Sequence, residues 1–189
     1  MGFQSVILAS ASPRRGELLR GIVPEFHIVP SAAVEILNEQ LTAREMAQIN
    51  AHRKARSVAR KFPDALVLGF DTIVYHDHVL YGKPADLPDA QRMLECLEGR
   101  THEVVTGVCL LHLRAHREKL FAESTLVTFK ALNSAQICAY LGTINPLDKA
   151  GGYAIQENGD QLVREFSGSR SNVVGLPVER LRRELTGWI

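Results

Sequence analysis

The first twenty residues constrain the fold most, because a short apolar run leads directly into a helix start. Residues 5–9 (SVILA) are apolar enough for a buried strand. Ser12 is a typical N-cap residue, and Pro13 suits the first helical position because its missing N–H would have no partner there. A helix is therefore predicted over residues 13–20. A strand followed at once by a helix is typical of an α/β fold.

The rest of the chain alternates between strand-like and helix-like segments. Thr42 and Glu45 have the spacing of a capping box at the start of a long helical pattern, which Pro63 ends. The patterns predict strands at residues 26–29, 65–70, 73–80, 101–113, 119–129, 153–156 and 161–166, and helices at 42–61, 87–97, 134–141 and 177–185. Without repeats or linkers, this order predicts one mixed α/β domain over residues 1–189.

The charge balance limits the kinds of partner. Lysine and arginine number 22 against 21 acidic residues, so the net charge is +1 and no overall positive field would hold a nucleic acid. No apolar stretch reaches the roughly 18 residues of a membrane span, and no signal peptide is recognisable. We expect no nucleic-acid or membrane partner and a cytoplasmic location. The separated Cys96, Cys109 and Cys138 favour buried thiols in a reducing compartment.

The turn between the first strand and its helix is a candidate phosphate-binding site. Ser10 and Ser12 supply hydroxyl groups, Arg14 and Arg15 supply guanidinium groups, and the helix start supplies unpaired backbone N–H groups. All of these are donors, whereas phosphate oxygens are acceptors. The alternative is an ordinary capped helix with surface arginines, and the segment alone favours that alternative.

Asp71 is the candidate for acting on water. It follows the apolar run 65–70, which predicts a position at a strand end, where α/β sheets usually bind ligands. Its carboxylate can take a proton from water or hold a divalent metal, and the alternative is a turn-capping residue. Lys83, in a Gly-Lys-Pro turn, and Lys54, on the long helix, can each neutralise phosphate charge or be ordinary surface lysines.

Residues 148–156 (DKAGGYAIQ) resemble one wall of a binding site. They combine a charged pair, two glycines that allow close approach, and Gln156, whose amide can read a base edge unless it is simply a solvated polar residue. His76 and His78 flank a predicted turn and lack a nearby third ligand, so we expect no metal there. The chain has no Walker A or G-x-G-x-x-G pattern, which argues against P-loop and Rossmann proteins.

Taken together, these motifs resemble the Maf family, whose members are called septum formation inhibitor proteins and are regarded as nucleoside triphosphate pyrophosphatases. The resemblance runs nearly end to end, and its specificity comes from several motifs in one order. They are Ser10, Ser12, Arg14, Arg15, Leu18 and Leu19, then Glu35, Lys54-Ala55, Gly69, Asp71 and Thr72, Lys83-Pro84, residues 148–151 with Gln156, and residues 172–177.

The resemblance implies a Maf-type, inosine-triphosphatase-like α/β fold with a central mixed sheet, flanking helices and a deep cleft, often in a homodimer. It also implies cleavage of a nucleoside triphosphate between the α and β phosphates, with a divalent cation, Mg²⁺ or Mn²⁺. From the positions that match the family's motifs, the resemblance implies that Asp71 is the proton acceptor and that Glu35 and Asp71 are the metal ligands. The predicted catalytic residues are Asp71, Lys54, Lys83 and Glu35, and the predicted substrate-binding residues are Ser10, Ser12, Arg14, Arg15, Thr72 and Gln156.

Three of these positions, Arg14, Thr72 and Gln156, distinguish subfamilies, and their identities here resemble the branch acting on dTTP and UTP. Two departures bear on base choice and metal affinity: Phe70 replaces the usual alanine or serine, and Val34-Glu35 replaces a more acidic pair. The alternatives are a Maf-like enzyme for 7-methyl-GTP or other modified nucleotides, and a non-catalytic nucleotide-binding regulator of cell division.

Overall fold

One mixed β-sheet forms the centre of the fold, in a computed structural model that describes residues 5–38 and 40–188. The described residues form seven strands: Val6–Leu8 (β1), His27–Ile28 (β2), Leu66–His76 (β3), Val79–Tyr81 (β4), Thr101–His112 (β5), Arg117–Phe129 (β6) and Val163–Ser167 (β7). Their order is β2-β1-β3-β5-β6-β7, and β4 pairs with the last residues of β3. β1 is parallel to β2 and β3, and the other pairs are antiparallel. The predicted mixed sheet is confirmed. The polar residues 114–118 between two predicted strands favour a hairpin, and β5 and β6 form one.

Helices cover both faces of this sheet. Those in the described residues are Pro13–Arg20 (α1), Ala43–Ala59 (α2), Leu87–Leu97 (α3), Ser134–Leu141 (α4), Arg170–Val174 (α5) and Val178–Leu185 (α6). Short 3₁₀ turns at Pro146–Asp148, Ala150–Gly152 and Gly159–Gln161 connect α4 to β7. The odd-numbered positions of β3 and β5 pack against α2, and the even-numbered positions pack against α1, α3, α4 and α6. No helix among the described residues is both long and apolar enough to cross a membrane.

Two local features of the sequence place α2 on the sheet. The predicted capping box is present: the Thr42 hydroxyl accepts from the Glu45 backbone N–H, and the Glu45 carboxylate accepts from the Thr42 backbone N–H. One face of the helix carries Ala47, Ala51 and Ala55, which are fully buried. Because alanine side chains are short, the helix backbone can approach the strands closely.

Gly69 and Gly107 complete this close approach from the side of the sheet. A Cβ atom on Gly107 would lie 2.2 Å from the backbone of Ala47, and one on Gly69 would lie 2.3 Å from the carbonyl oxygen of Ala51. Both distances are far shorter than any van der Waals contact, so only glycine fits while α2 stays in place. Gly107 is also the cross-strand partner of Asp71, which fixes α2 directly above that carboxylate.

The prediction that Asp71 lies at a strand end is wrong. β3 runs without interruption from Leu66 to His76, and Asp71 lies in its middle, paired with β5. The polar residues 71 and 72 break the apolar pattern, but backbone hydrogen bonds to β5 continue past them. The turn at Asp77 and His78 is confirmed, since both have left-handed backbone conformations.

Two predictions about the C-terminal third also need correction. Residues 153–156 form no strand, although Tyr153 and Ile155 are buried, because apolar side chains there are covered by packing in a turn. The sequence of residues 168–172 (GSRSN) predicts a loop or, as an alternative, an anion-binding turn, but these residues include the start of a helix: the Ser169 hydroxyl accepts from the Asn172 backbone N–H and caps the short helix α5. The apolar pattern at 153–156 therefore reflects burial without a strand. At 168–172, the N-cap residue Ser169 was not recognised in the sequence.

Smaller details differ for individual side chains. Asn133, rather than Ser134, caps α4, because its side chain accepts from the Gln136 backbone N–H. Cys138 is exposed, contrary to the expected burial, because it lies on the outer face of α4. The charged residues 179–184 predict a solvated helix face, but Arg180 lies over the Phe121 ring and its side chain is 31% exposed.

Substituting Gly107 tests the close contact between α2 and the sheet. We expect Gly107→Ala to lower the free energy of unfolding by about 2–3 kcal/mol, because the added methyl group must displace the helix backbone. For a chain of this size, the melting temperature should fall by about 5–10 °C. The control is Gly21→Ala, where the new Cβ would meet its nearest atom at 3.5 Å and where φ is −72°. Equal melting temperatures for the two variants would contradict the contact.

Candidate active site

A cavity of about 650 Å³ opens between the turn into α1, the loop of residues 30–38, the middle of β3 and residues 146–156. We call the segment 30–38 the Glu35 loop. The cavity brings together all ten predicted site residues, which are Ser10, Ser12, Arg14, Arg15, Glu35, Lys54, Asp71, Thr72, Lys83 and Gln156. They are far apart in the sequence, and β3 together with α2 draws them to one place.

Asp71 lies on the floor of the cavity and is 4% exposed. Its Oδ1 atom is 2.5 Å from the Lys54 ammonium, and its Oδ2 atom accepts a hydrogen bond from the Asn50 side-chain amide at 3.1 Å. Burial raises the pKa of Asp71, and the nearby Lys54 opposes that effect only in part. A fixed carboxylate with a raised pKa is suited to accepting a proton.

Glu35 joins the Glu35 loop to both predicted lysines. Its Oε1 atom is 2.6 Å from the Lys54 ammonium and 3.3 Å from that of Lys83. Partial burial alone would raise the pKa of Glu35, but the two lysines lower it below its usual value. Lys54 therefore lies between two carboxylates, from Glu35 and Asp71, whose pKa values shift in opposite directions.

Arg15 holds the turn into α1 against the sheet. Its guanidinium donates to the carbonyl oxygens of Gly175 and Phe70 at 2.8 and 3.1 Å, and to the hydroxyls of Thr72 and Ser10 at 3.0 and 3.3 Å. These bonds use most of its N–H groups. Arg15 therefore contributes its positive charge to the cavity but has few free hydrogen-bond donors left for a ligand. Burial lowers the pKa of this guanidinium, while the negative charge of Asp71 opposes the shift.

Ser12 occupies the N-cap position of α1, as predicted, but its side chain makes no capping hydrogen bond. Its backbone N–H donates instead to the Ser10 hydroxyl at 3.2 Å. The N–H groups of the first helical turn have no partner within the helix, and they border the cavity together with the Ser12 hydroxyl. This turn is consequently able to receive phosphate oxygens.

The opposite wall of the cavity carries a second group of charges. Arg14 donates to the Asp148 carboxylate at 2.9 Å, and the buried Lys149 binds the same carboxylate at 2.8 Å. Lys149 also lies 3.4 Å from Glu157, which accepts a hydrogen bond from the exposed Gln156 amide at 3.1 Å. The two cations and two carboxylates balance, so this wall is polar without net charge.

The residues of the cavity fit a divalent cation that arrives with phosphate groups. Glu35 and Asp71 offer two carboxylates that both contact the Lys54 ammonium, and Mg²⁺ is commonly held by one or two carboxylates plus substrate phosphates. Within residues 5–38 and 40–188, no three His, Cys, Asp or Glu side chains cluster as an all-protein metal cage. The two carboxylates of Glu35 and Asp71 therefore suit a metal site that the substrate phosphates complete, rather than a site that is permanently occupied.

Sequence reasoning missed Asn50, and it placed residue 148 in the wall at 148–156 without its pairing to Arg14. Asn50 is buried at 2% exposure in the middle of α2, and Asp148 orients Arg14 from the opposite wall. Asn50 had a signal that could have found it: a polar residue at an inner helical position, one turn before Lys54. The pairing of Arg14 with Asp148 had none, because the two residues are 134 positions apart.

Comparison with known proteins agrees with this arrangement. A family model described as "Maf-like protein" matches residues 5–188. A protein of Carboxydothermus hydrogenoformans named "dTTP/UTP pyrophosphatase" is 43% identical over 183 residues, which cover 97% of this chain and 98% of the relative. A protein of the same name from Acetivibrio thermocellus is 45% identical over 93% of this chain and 91% of its own length. Another, from Symbiobacterium thermophilum, is also 45% identical, over 97% of this chain and 93% of its own length. The family that the sequence motifs predicted is confirmed: this chain belongs to the Maf family.

Proposed function

We propose that this protein is a nucleoside triphosphate pyrophosphatase that hydrolyses dTTP and UTP to the monophosphate and pyrophosphate. The observation that carries the proposal is the buried Asp71, held beside Lys54 and facing Glu35 and Lys83 in a cavity of nucleotide size. Relatives 41–45% identical over nearly the whole chain carry the name dTTP/UTP pyrophosphatase, which supports this choice of substrate.

In the proposed reaction, Asp71 accepts a proton from the attacking water. The oxygen of that water forms a bond to the α-phosphorus, and the bond between this phosphorus and the bridging oxygen breaks, so that pyrophosphate leaves with the electron pair. Lys54 fixes the Asp71 carboxylate, and Lys83 stabilises charge on the departing phosphates. Binding alone would not require a buried carboxylate beside a polyanion, which favours chemistry over a sensor role.

The charge balance of this half of the cavity supports the need for a divalent cation. Lys54, Lys83 and Arg15 face the carboxylates of Glu35 and Asp71, which leaves one net positive charge against the several negative charges of a triphosphate. We propose that Glu35 and Asp71 hold Mg²⁺ or Mn²⁺. When bound, the ion would neutralise phosphate oxygens and polarise the phosphorus that water attacks.

The two walls also suggest how the nucleotide lies. The phosphates belong near Lys54 and Lys83, where positive charge is in excess, and the base belongs near Gln156 on the balanced wall. Arg14 is already paired with Asp148, so it can orient polar groups of a base without competing for the triphosphate. This direction is consistent with the predicted role of Arg14 and Gln156 in nucleotide selection, whereas the Thr72 hydroxyl binds Arg15 on the phosphate side.

Neutralising Asp71 tests its proposed role as the proton acceptor. We expect Asp71→Asn to lower kcat for dTTP by about 100- to 10,000-fold, because an amide cannot take the proton from water. The KM should stay the same or fall, since one negative charge is removed from beside the phosphates. Asp64→Asn is the control, because Asp64 pairs with Arg114 outside the cavity. Near-full turnover by Asp71→Asn at saturating metal would refute the assignment.

A substrate panel tests the proposed specificity. Pyrophosphate release should be measured for dTTP, UTP, CTP, ATP, GTP and 7-methyl-GTP, with Mg²⁺ or Mn²⁺ and again with a chelator. We expect kcat/KM for dTTP and UTP to exceed that for the purines by at least about tenfold, because a polar wall rejects bases that leave its groups unpaired. The chelator should abolish release, and added metal should restore it. A preference for 7-methyl-GTP would assign the protein to the other branch of the family.

A further inference from the structure

Asn50 is a buried polar residue whose contacts the proposed reaction has not yet used. It lies on the inner face of α2, one turn before Lys54, and is 2% exposed. Its Oδ1 atom accepts from the Ile36 backbone N–H at 2.9 Å, and its Nδ2 atom donates to the Ile36 carbonyl oxygen at 3.0 Å. The same Nδ2 atom donates its second hydrogen to Asp71 at 3.1 Å. One side chain thus joins the Glu35 loop to the floor of the cavity.

The orientation of this amide is unambiguous. The Ile36 N–H can only donate and the Ile36 carbonyl oxygen can only accept, so these two backbone groups already determine which end of the amide faces each of them. A flipped amide would lose all three hydrogen bonds, so Oδ1 and Nδ2 are fixed by their partners. Because both N–H groups are used, the Asn50 side chain cannot rotate without breaking a buried hydrogen bond.

The position of Asn50 links the two carboxylates of the site. Ile36 follows Glu35 directly, so the amide fixes the backbone of the Glu35 loop next to the glutamate. Its third bond fixes the Oδ2 atom of Asp71, whose Oδ1 atom binds Lys54. Glu35 binds the same ammonium from the loop side. The separation of Glu35 and Asp71 therefore depends on one amide as well as on Lys54.

We propose that Asn50 is a positioning residue for the hydrolysis: it fixes the plane of the Asp71 carboxylate and the distance between that carboxylate and Glu35. It acts through these two residues and needs no contact with the nucleotide. This inference rests on the proposed function, since it assigns Asn50 a part in that same reaction. Its effect should appear mainly in kcat, because bound substrate would meet a misoriented base.

Ser57 provides a matched control on the same helix. It lies on the same face of α2 as Asn50 and Lys54, and its hydroxyl is 2.8 Å from that of Ser31 in the Glu35 loop. Its other hydrogen bond goes to the backbone carbonyl oxygen of Lys54, and it touches neither Asp71 nor Glu35. Ser57→Ala consequently loosens the loop without freeing the Asp71 carboxylate.

The test compares Asn50→Leu, which keeps the number and branching of the side-chain heavy atoms but removes all three hydrogen bonds, with Ser57→Ala. Hydrogen exchange of the loop amides should be faster than in the unsubstituted protein for both variants. For dTTP, we expect Asn50→Leu to lower kcat by about 10- to 100-fold, the effect of losing a hydrogen bond to a charged group, with KM changed by less than about threefold. Ser57→Ala should keep kcat within about twofold.

Asn50→Asp keeps the shape of the side chain and is the variant to measure if Asn50→Leu does not fold. In its ionised form it can still accept from the Ile36 N–H but cannot donate to Asp71, so its kcat above the pKa of the new carboxyl group should fall at least as far. The proposal is overturned if either folded Asn50 variant keeps kcat within about threefold, or if Ser57→Ala loses as much as they do. The proposed function is tested separately, by assaying the unsubstituted protein first. If that protein hydrolyses none of the nucleotides, the proposed function itself is overturned.

Discussion

The site depends on the contact between α2 and the glycines of β3 and β5. With no side chain at Gly69 or Gly107, the backbone of α2 rests on the sheet, and Asn50 and Lys54 project onto Asp71. A carboxylate in the middle of a central strand would otherwise lack solvent and partners, which is costly. The same contact therefore makes the buried acid tolerable and supplies the groups that orient it.

Two groups of charged residues divide the cavity by function. Near Asp71, Lys54 and Lys83 share Glu35, and with Arg15 this half carries an excess of positive charge that can attract phosphates. Near Gln156, the charges balance through the pairing of Arg14 with Asp148, and the wall presents hydrogen-bonding groups without net attraction. A polyanion and an uncharged base thus meet environments suited to each.

The sequence predicted much of the fold where local signals were strong. The capping box at Thr42 and the Ser-Pro helix start were confirmed, as were the bounds of α3, because local hydrogen bonds and periodicity determine these features. Predictions failed where a long-range contact dominated. β3 continues through Asp71 because β5 pairs with it, and residues 153–156 are buried without being a strand.

By itself, the sequence determined most of the helices and strands, the family and the ten predicted residues that line the cavity, because local patterns and ordered motifs encode these features. Only the tertiary structure decided what those residues do to one another. Arg15 donates hydrogen bonds to backbone carbonyl oxygens, Asp148 accepts one from Arg14, and Asn50 joins the Glu35 loop to Asp71. Such pairings depend on distances between segments far apart in the chain, and no local pattern encodes those distances.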